Sequence, residues 1–135
     1  MPIVRQKRIA RDDLRAHPNH LYLFGDNEAR TGYGGQAAAM RGEPNAIGVR
    51  TKRAPGRRPE DYWTDRRYDD CHRMIDEDLR PVFAAIRTGR TVVIPEDGVG
   101  TGLSALPERA PRVFAYLTDQ LQRLEAEADS STARG

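Results

Sequence analysis

The sequence is short of several features on which large protein classes depend. It has one cysteine, Cys71, which excludes an internal disulfide and any metal site built from several cysteines. No apolar run approaches the ~20 residues that a membrane-spanning helix needs, and the N-terminus lacks the pattern of a secretory signal. The three histidines, His17, His20 and His72, have no metal-ligand spacing. We therefore expect a cytoplasmic protein with no membrane partner, no metal and no cofactor.

The charge is almost balanced. Lysine and arginine number 22 against 20 acidic residues, a net charge of +2, which argues against a general nucleic-acid binder. Apolar residues make up 38% of the 135 residues, enough for one core of common domain size. We expect a single domain over residues 1–128 and a disordered tail over 129–135.

Short apolar segments alternate with helical patterns along the chain. The predicted strands cover residues 3–9, 20–24, 46–49 and 91–95. An apolar stripe from Tyr68 to Ile86 predicts a long helix that Pro81 kinks or divides, and a last helix begins between Pro107 and Pro111. This alternation predicts an α/β fold with a mostly parallel or mixed central sheet, in which ligands bind at the carboxyl ends of strands.

Two glycine-rich loops follow predicted strands. The first contains Gly32, Gly34 and Gly35 and leads into an Ala-rich helix near Gln36, where free backbone N–H groups would point at a ligand. The second spans residues 98–102 after the strand that ends at Pro95. The first loop has neither the spacing of a dinucleotide fingerprint nor the residues of a Walker motif. Because both loops leave strand ends, we expect them to line one crevice.

These loops supply the candidate ligand-binding residues. An asparagine amide suits a pair of ribose hydroxyls, and consecutive backbone N–H groups suit a diphosphate. The alternative is that the glycines serve only as turns. The candidates are Asn27, Arg30, Gly32, Gly34, Gly35, Gln36, Pro95, Gly98, Val99, Gly100, Thr101 and Gly102.

Together, these motifs resemble macrodomains, the ADP-ribose-binding α/β/α modules. Asn27 resembles the ribose-contacting asparagine, residues 34–37 resemble the glycine loop, and Pro95 with residues 98–103 resembles the phosphate loop. The likeness covers residues 20–50 and 90–125. It implies a three-layer α/β/α sandwich that binds ADP-ribose, or a related nucleotide-diphosphate-ribose, free or attached to a macromolecule.

The chain departs from the macrodomain pattern in three places. Residues 24–27 replace the usual Asn-Ala-Ala-Asn, Glu96-Asp97 replaces small or apolar residues, and the adenine-reading Gly-Asp-Ile element has no counterpart. We therefore expect an atypical, macrodomain-like member of an uncharacterised bacterial or phage family.

The resemblance also implies a possible ADP-ribosyl hydrolase, in which water attacks the anomeric carbon of the distal ribose. Asp26 is the first candidate for the base or orienting carboxylate, followed by Glu96 or Asp97. Lys52 would stabilise negative charge or act as a nucleophile. The plainer alternatives are solvated loop carboxylates and a surface or phosphate-contacting lysine.

Two other functions stay open. One is a Rossmann-like nucleotide-binding or N-glycosidic-bond enzyme that uses Glu96. The other is a non-catalytic binding module that uses the segment 50–67, which holds seven basic residues. Within that segment, Tyr62 and Trp63 would stack on a base or fix the loop to the core. Cys71 lies on the helical apolar stripe, and we expect it to pack in the core.

Overall fold

The structure is a computed structural model that describes the backbone of residues 3–134 and the side chains of residues 3–130. The strands are β1 (Ile3–Gln6), β2 (Leu21–Asn27), β3 (Ala46–Lys52) and β4 (Val92–Pro95). The helices are α1 (Arg11–Ala16), α2 (Ala37–Met40), α3 (Tyr68–Arg87), α4 (Leu106–Arg109) and α5 (Pro111–Arg134). Two 3-10 turns, Pro59–Asp61 and Asp65–Arg67, precede α3.

The four strands form one parallel sheet in the order β1-β4-β2-β3. β2 lies inside the sheet, where Leu21 pairs with Val92 of β4 and Tyr22 pairs with Ala46 of β3. Because all strands run the same way, their carboxyl ends share one edge of the sheet. The α/β fold predicted from the sequence is confirmed, and its sheet is parallel.

The apolar side chains of β2 enter two separate core clusters. Leu21 and Leu23 of β2 enter the larger core cluster, which also holds the apolar sides of α3 and α5. Tyr22 and Phe24 enter a second cluster, with Leu14 of α1 and apolar residues of α2. Since successive strand residues point to opposite faces, the continuous apolar run of β2 reflects burial on both sides.

Several boundaries differ from the sequence prediction. β2 and β3 continue to Asn27 and Lys52, so two residues expected in loops, Asp26 and Lys52, belong to strands. β1 is shorter than predicted and ends at Gln6, and Arg8 just beyond it has a positive φ of 48°. Strand pairing with β2 and β4 decides these limits, and local apolar patterns do not report it.

Of the two effects predicted for Pro81, a kink or a division of the long helix, the division is wrong. α3 is continuous through Pro81. Pro81 lies on the exposed side, where water can bond to the carbonyl that loses its partner.

The last helix, α5, extends beyond the point where its sequence pattern fades. Residues 129–134, which the sequence predicts to be disordered, have helical backbone, while Gly135 lies outside the described residues. No helix in the described part of the chain is both long enough and apolar enough to cross a membrane.

Candidate functional site

The two glycine loops line a single cleft at the carboxyl edge of the sheet. The first loop (residues 28–36) follows β2, and the second loop (residues 96–105) follows β4. Gly34 and Asn27 lie on one side of the cleft, and Gly100, Leu103 and Ser104 lie on the other. Residues that are more than 60 positions apart in the chain therefore meet at this edge.

Gln36 joins the two loops directly. Its Oε1 accepts a hydrogen bond from the Gly25 amide at 2.8 Å, and its Nε2 donates to the Gly98 carbonyl at 2.9 Å. The sequence predicts Gln36 as a ligand contact, whereas the structure places its side chain between the loops. A methyl group on Gly25 would lie 3.4 Å from the Gly100 nitrogen, so the two backbones also approach closely here.

The free amides of the first loop precede α2. Among the described residues, no protein acceptor bonds to the backbone amides of residues 31–36, whereas the amides of Ala37, Ala38 and Ala39 donate to the carbonyls of residues 34–36 at 3.2 Å. Helix α2 has only four residues, so its dipole at this point is weak.

The second loop also has free amides. In the described part of the chain, no protein acceptor bonds to the backbone amides of residues 99–104. Val99, Gly100 and Ser104 are buried, and residues 101–103 are exposed. Successive N–H groups around positive-φ residues, here Gly98 at 90° and Gly100 at 85°, can form an anion-binding concavity.

Asn27, which lines the cleft, holds a second unpaired group. Its Nδ2 donates to the Thr31 carbonyl at 2.8 Å, which fixes the orientation of the amide. Its Oδ1 is buried and has no hydrogen-bond partner among the described residues. A ligand hydroxyl that donated to Oδ1 would satisfy an acceptor that is costly to leave unpaired.

Asp26 is enclosed by arginines. Its carboxylate accepts hydrogen bonds from Arg41, Arg30 and the Asn27 amide, and the residue is 4% exposed. Burial alone would raise the pKa of Asp26, but the bonds from Arg41, from the Asn27 amide and from Arg30 outweigh it and lower that pKa. An ionised carboxylate held by two guanidinium groups is a weak base. Its clearest effect is to hold Arg41.

Arg41 in turn holds the first loop. Its Nε donates to the Gly32 carbonyl at 2.7 Å, and its Nη2 donates to the Thr31 carbonyl at 3.1 Å. Asp26 therefore acts on the cleft through Arg41. Sequence reasoning missed Arg41, because nothing in the local pattern connects it with a carboxylate 15 residues earlier.

Arg30 is turned away from the cleft. Its guanidinium donates to the Gly48 carbonyl at 2.6 Å and to Asp78 at 2.7 Å, in addition to Asp26. It belongs to an ion network between β2, β3 and α3, so the structure does not bring it together with the other predicted ligand contacts.

The predicted catalytic residues lie in two places. Lys52 lines the cleft near Asp26, and its ammonium contacts the Gly56 carbonyl and lies 4.4 Å from the Tyr62 ring. Burial lowers the pKa of Lys52; Asp61 opposes this, and Arg57 and Arg109 add to it. Glu96 is exposed, 3.9 Å from Lys7, in a separate groove beside the ends of β1 and β4.

Of the remaining candidates in and before the second loop, some line the cleft and others lie elsewhere. Pro95 ends β4 beside the Glu96 groove, and Val99 packs in the larger core cluster. Gly102 lines the cleft, and the Thr101 hydroxyl donates to the Asp97 carbonyl at 2.7 Å.

Sequence reasoning missed Ser104, which lines the cleft, and Thr51, which is buried behind it. Their hydroxyl oxygens lie 2.6 Å apart, and the Thr51 hydroxyl also donates to the Asp26 carbonyl at 3.3 Å. This contact ties β3 to the second loop. A small polar residue two positions after the second glycine stretch was the available signal for Ser104.

Two open alternatives outside the cleft can now be compared with the structure. Trp63 is fully buried and its Nε1 donates to Glu28 at 2.8 Å, so it fixes the loop to the core. Cys71 is also fully buried, and burial raises its thiol pKa to about 12, as expected for a core residue. Among the described residues, no group of three or more His, Cys, Asp or Glu side chains is arranged to hold a metal ion.

Comparison with known proteins gives one match. Residues 4–120 match a family described as a family of unknown function, DUF7831. The chain belongs to this family. No curated protein and no solved structure matches the chain. The resemblance to macrodomains therefore rests on the sequence motifs alone, and the argument for function rests on the cleft.

Proposed function

We propose that this protein binds ADP-ribose, or a closely related nucleotide-diphosphate-ribose, in the cleft between the two glycine loops. The proposal includes the three-layer α/β/α arrangement of macrodomains. The observation that carries it is the run of unpaired amides at residues 99–104 together with the unpaired Oδ1 of Asn27, in adjoining parts of the cleft that share Gly25, Gly34, Leu103 and Ser104.

In this proposal the ligand would lie in one direction along the cleft. The second loop would hold the diphosphate, because consecutive amides bind phosphate oxygens without a lysine. The ribose beyond the diphosphate would place a hydroxyl against Asn27. On the other side, Gly35 and Gln36 border both the cleft and the groove at the ends of β1 and β4, which would receive the nucleoside.

Binding has better support than hydrolysis. Asp26 is the one carboxylate among the described residues that line the cleft, and its oxygens are engaged by arginines. Glu96, which the N-glycosidic alternative needs, lies outside the cleft. As a base, Asp26 would first have to release Arg41.

Isothermal calorimetry tests the proposal. We expect ADP-ribose to bind more tightly than AMP or ribose 5-phosphate, because neither fragment spans the diphosphate loop and Asn27 together. The Asn27→Ala variant should bind ADP-ribose about tenfold more weakly, since one hydrogen bond contributes about 1–1.5 kcal/mol.

The control is Asn19→Ala, at the opposite edge of the sheet. It should bind ADP-ribose like the wild-type protein, and thermal melting checks that both variants fold. Absence of ADP-ribose binding at millimolar concentration would refute the proposal. Binding of a nucleotide sugar without ADP-ribose would favour the other nucleotide-binding class.

A further inference from the structure

Most basic residues of the segment 50–67 do not line the cleft. Arg50 bonds to Asp78 at 2.9 Å, and Arg67 bonds to Glu28 at 2.8 Å. Lys52 is buried at the cleft. The other arginines of the segment are exposed and form no ion pair with any described residue. They are Arg53, Arg57, Arg58 and Arg66.

Two arginines from later elements extend this group. The guanidinium of Arg109 lies 3.8 Å from the centre of the Tyr62 ring, and that of Arg112 lies 4.5 Å from the centre of the Tyr68 ring. Both tyrosines are half-buried, so the rings hold these guanidinium groups while their N–H groups remain available. We call these two arginines and the four exposed arginines of the segment the basic surface.

Acidic side chains on the same elements only partly offset this charge. Asp61 accepts from the Arg58 amide at 3.0 Å, and Asp65 accepts from the Arg112 and Val113 amides at 3.1 and 3.2 Å. Asp70 pairs with Arg73 at 2.7 Å. The exposed acids that remain are Glu60, Asp69 and Glu108. Because Asp61 and Asp65 keep their negative charge when they accept from amides, they and these three acids number five against the six arginines of the basic surface, and the local excess of positive charge is small.

The basic surface begins at the mouth of the cleft. Pro55 lines the cleft beside Lys52, and Arg57 follows two residues later in the chain. The Tyr62 ring contacts both Lys52 and Arg109, so it connects the cleft residue with the exposed cations. A polymer chain attached to a ligand in the cleft, and leaving the cleft at this end, would pass over these arginines.

We propose that the basic surface binds the phosphodiester backbone of a single nucleic-acid strand whose terminal nucleotide-diphosphate-ribose unit occupies the cleft. This inference rests on the proposed function and names its substrate class. Guanidinium forks held on aromatic rings suit phosphate oxygens and stacked bases better than an acidic peptide, whose carboxylates need no aromatic neighbours.

Fluorescence anisotropy with a labelled, unmodified single-stranded DNA of about 12 nucleotides tests the inference, since single-strand sites cover about 4–16 nucleotides. If about four arginines meet phosphates, affinity should fall about 50-fold between about 50 and 200 mM salt. In the Arg57→Ala/Arg58→Ala variant, about two contacts remain and the fall should be about sevenfold.

The matched control is Arg80→Ala/Arg123→Ala, which removes the same charge from exposed positions of α3 and α5. It should keep the wild-type affinity for DNA. Calorimetry with ADP-ribose should give wild-type values for both double variants, because neither changes a cleft residue.

The outcomes separate the two proposals. No DNA binding at low salt, equal losses in the two double variants, or equal displacement by a polyglutamate of the same charge would overturn the inference. DNA binding that depends on Arg57 and Arg58, in a protein that does not bind ADP-ribose, would overturn the proposed function and leave the basic surface in place.

Discussion

Replacement of Gly100 by alanine tests the structure of the second loop most sharply. Gly100 has a φ of 85°, which is unfavourable for any residue with a Cβ. A methyl group there would lie 3.1 Å from the side chains of both Leu106 and Thr51. The backbone strain costs about 1–2 kcal/mol, and the crowding adds about 1–3 kcal/mol.

Gly89 provides a matched control for the backbone term. Its φ is 81°, and a methyl group on it would contact nothing within 4 Å. The Gly89→Ala variant should therefore lose only the strain of about 1–2 kcal/mol. The difference between the two variants isolates the crowding in the second loop.

Urea unfolding measures the difference in stability between the two variants, and calorimetry measures how tightly each of them binds ADP-ribose. We expect Gly100→Ala to have the lower unfolding midpoint and the weaker ADP-ribose binding. Gly89→Ala should bind like the wild-type protein. Equal midpoints for the two variants, or unimpaired binding by Gly100→Ala, would refute our description of this loop.

Three further predictions concern other parts of the molecule. Gln36→Ala removes the bonds to Gly25 and Gly98 and should lower the free energy of unfolding by about 1–3 kcal/mol, measured in urea; an unchanged midpoint would contradict the bridge. Asp26→Asn should lower the free energy of unfolding by about 2–4 kcal/mol at neutral pH. Because the folded pKa of Asp26 is lowered, its stabilisation is lost as pH falls below the ordinary 3.8, so the gap from wild type should close in acid; a constant gap would contradict the pairing. Cys71, with its pKa raised to about 12 by burial, should react with thiol reagents only on unfolding; prompt labelling of the folded protein would contradict its burial.

The sequence was sufficient to predict the sheet and the positions of both loops. The run from Leu21 to Phe24 is apolar at every position, and such runs arise when a strand is buried on both faces. Glycines after two strands then indicate loops at the carboxyl edge. These signals are local. They depend only on the spacing of apolar residues along the sequence and on the backbone conformations that glycine allows.

The function of individual polar residues was harder to predict. Whether an amide near the cleft is free depends on how the chain closes: the amides of residues 37–39 in α2 are bonded, whereas those of residues 99–104 have no acceptor among the described residues. The pairing of Asp26 with Arg41, and of Thr51 with Ser104, joins separate elements. No period within one element encodes such pairs.

Pro81 illustrates a local rule that tertiary structure overrides. Proline removes one helical hydrogen bond, yet Leu79 and Val82 on either side of it are buried in the core. Their burial supports the continuous helix, and the lost bond lies at an exposed position.

The central claim is that the free amides of the second loop bind a diphosphate. Two-dimensional amide NMR of isotope-labelled protein during titration with ADP-ribose tests it directly. We predict the largest shifts at residues 99–104, with Asn27 also shifting, and no shifts at residues 17–20 on the opposite edge of the sheet. Unchanged amide resonances at 99–104 in the presence of millimolar ADP-ribose would contradict the claim.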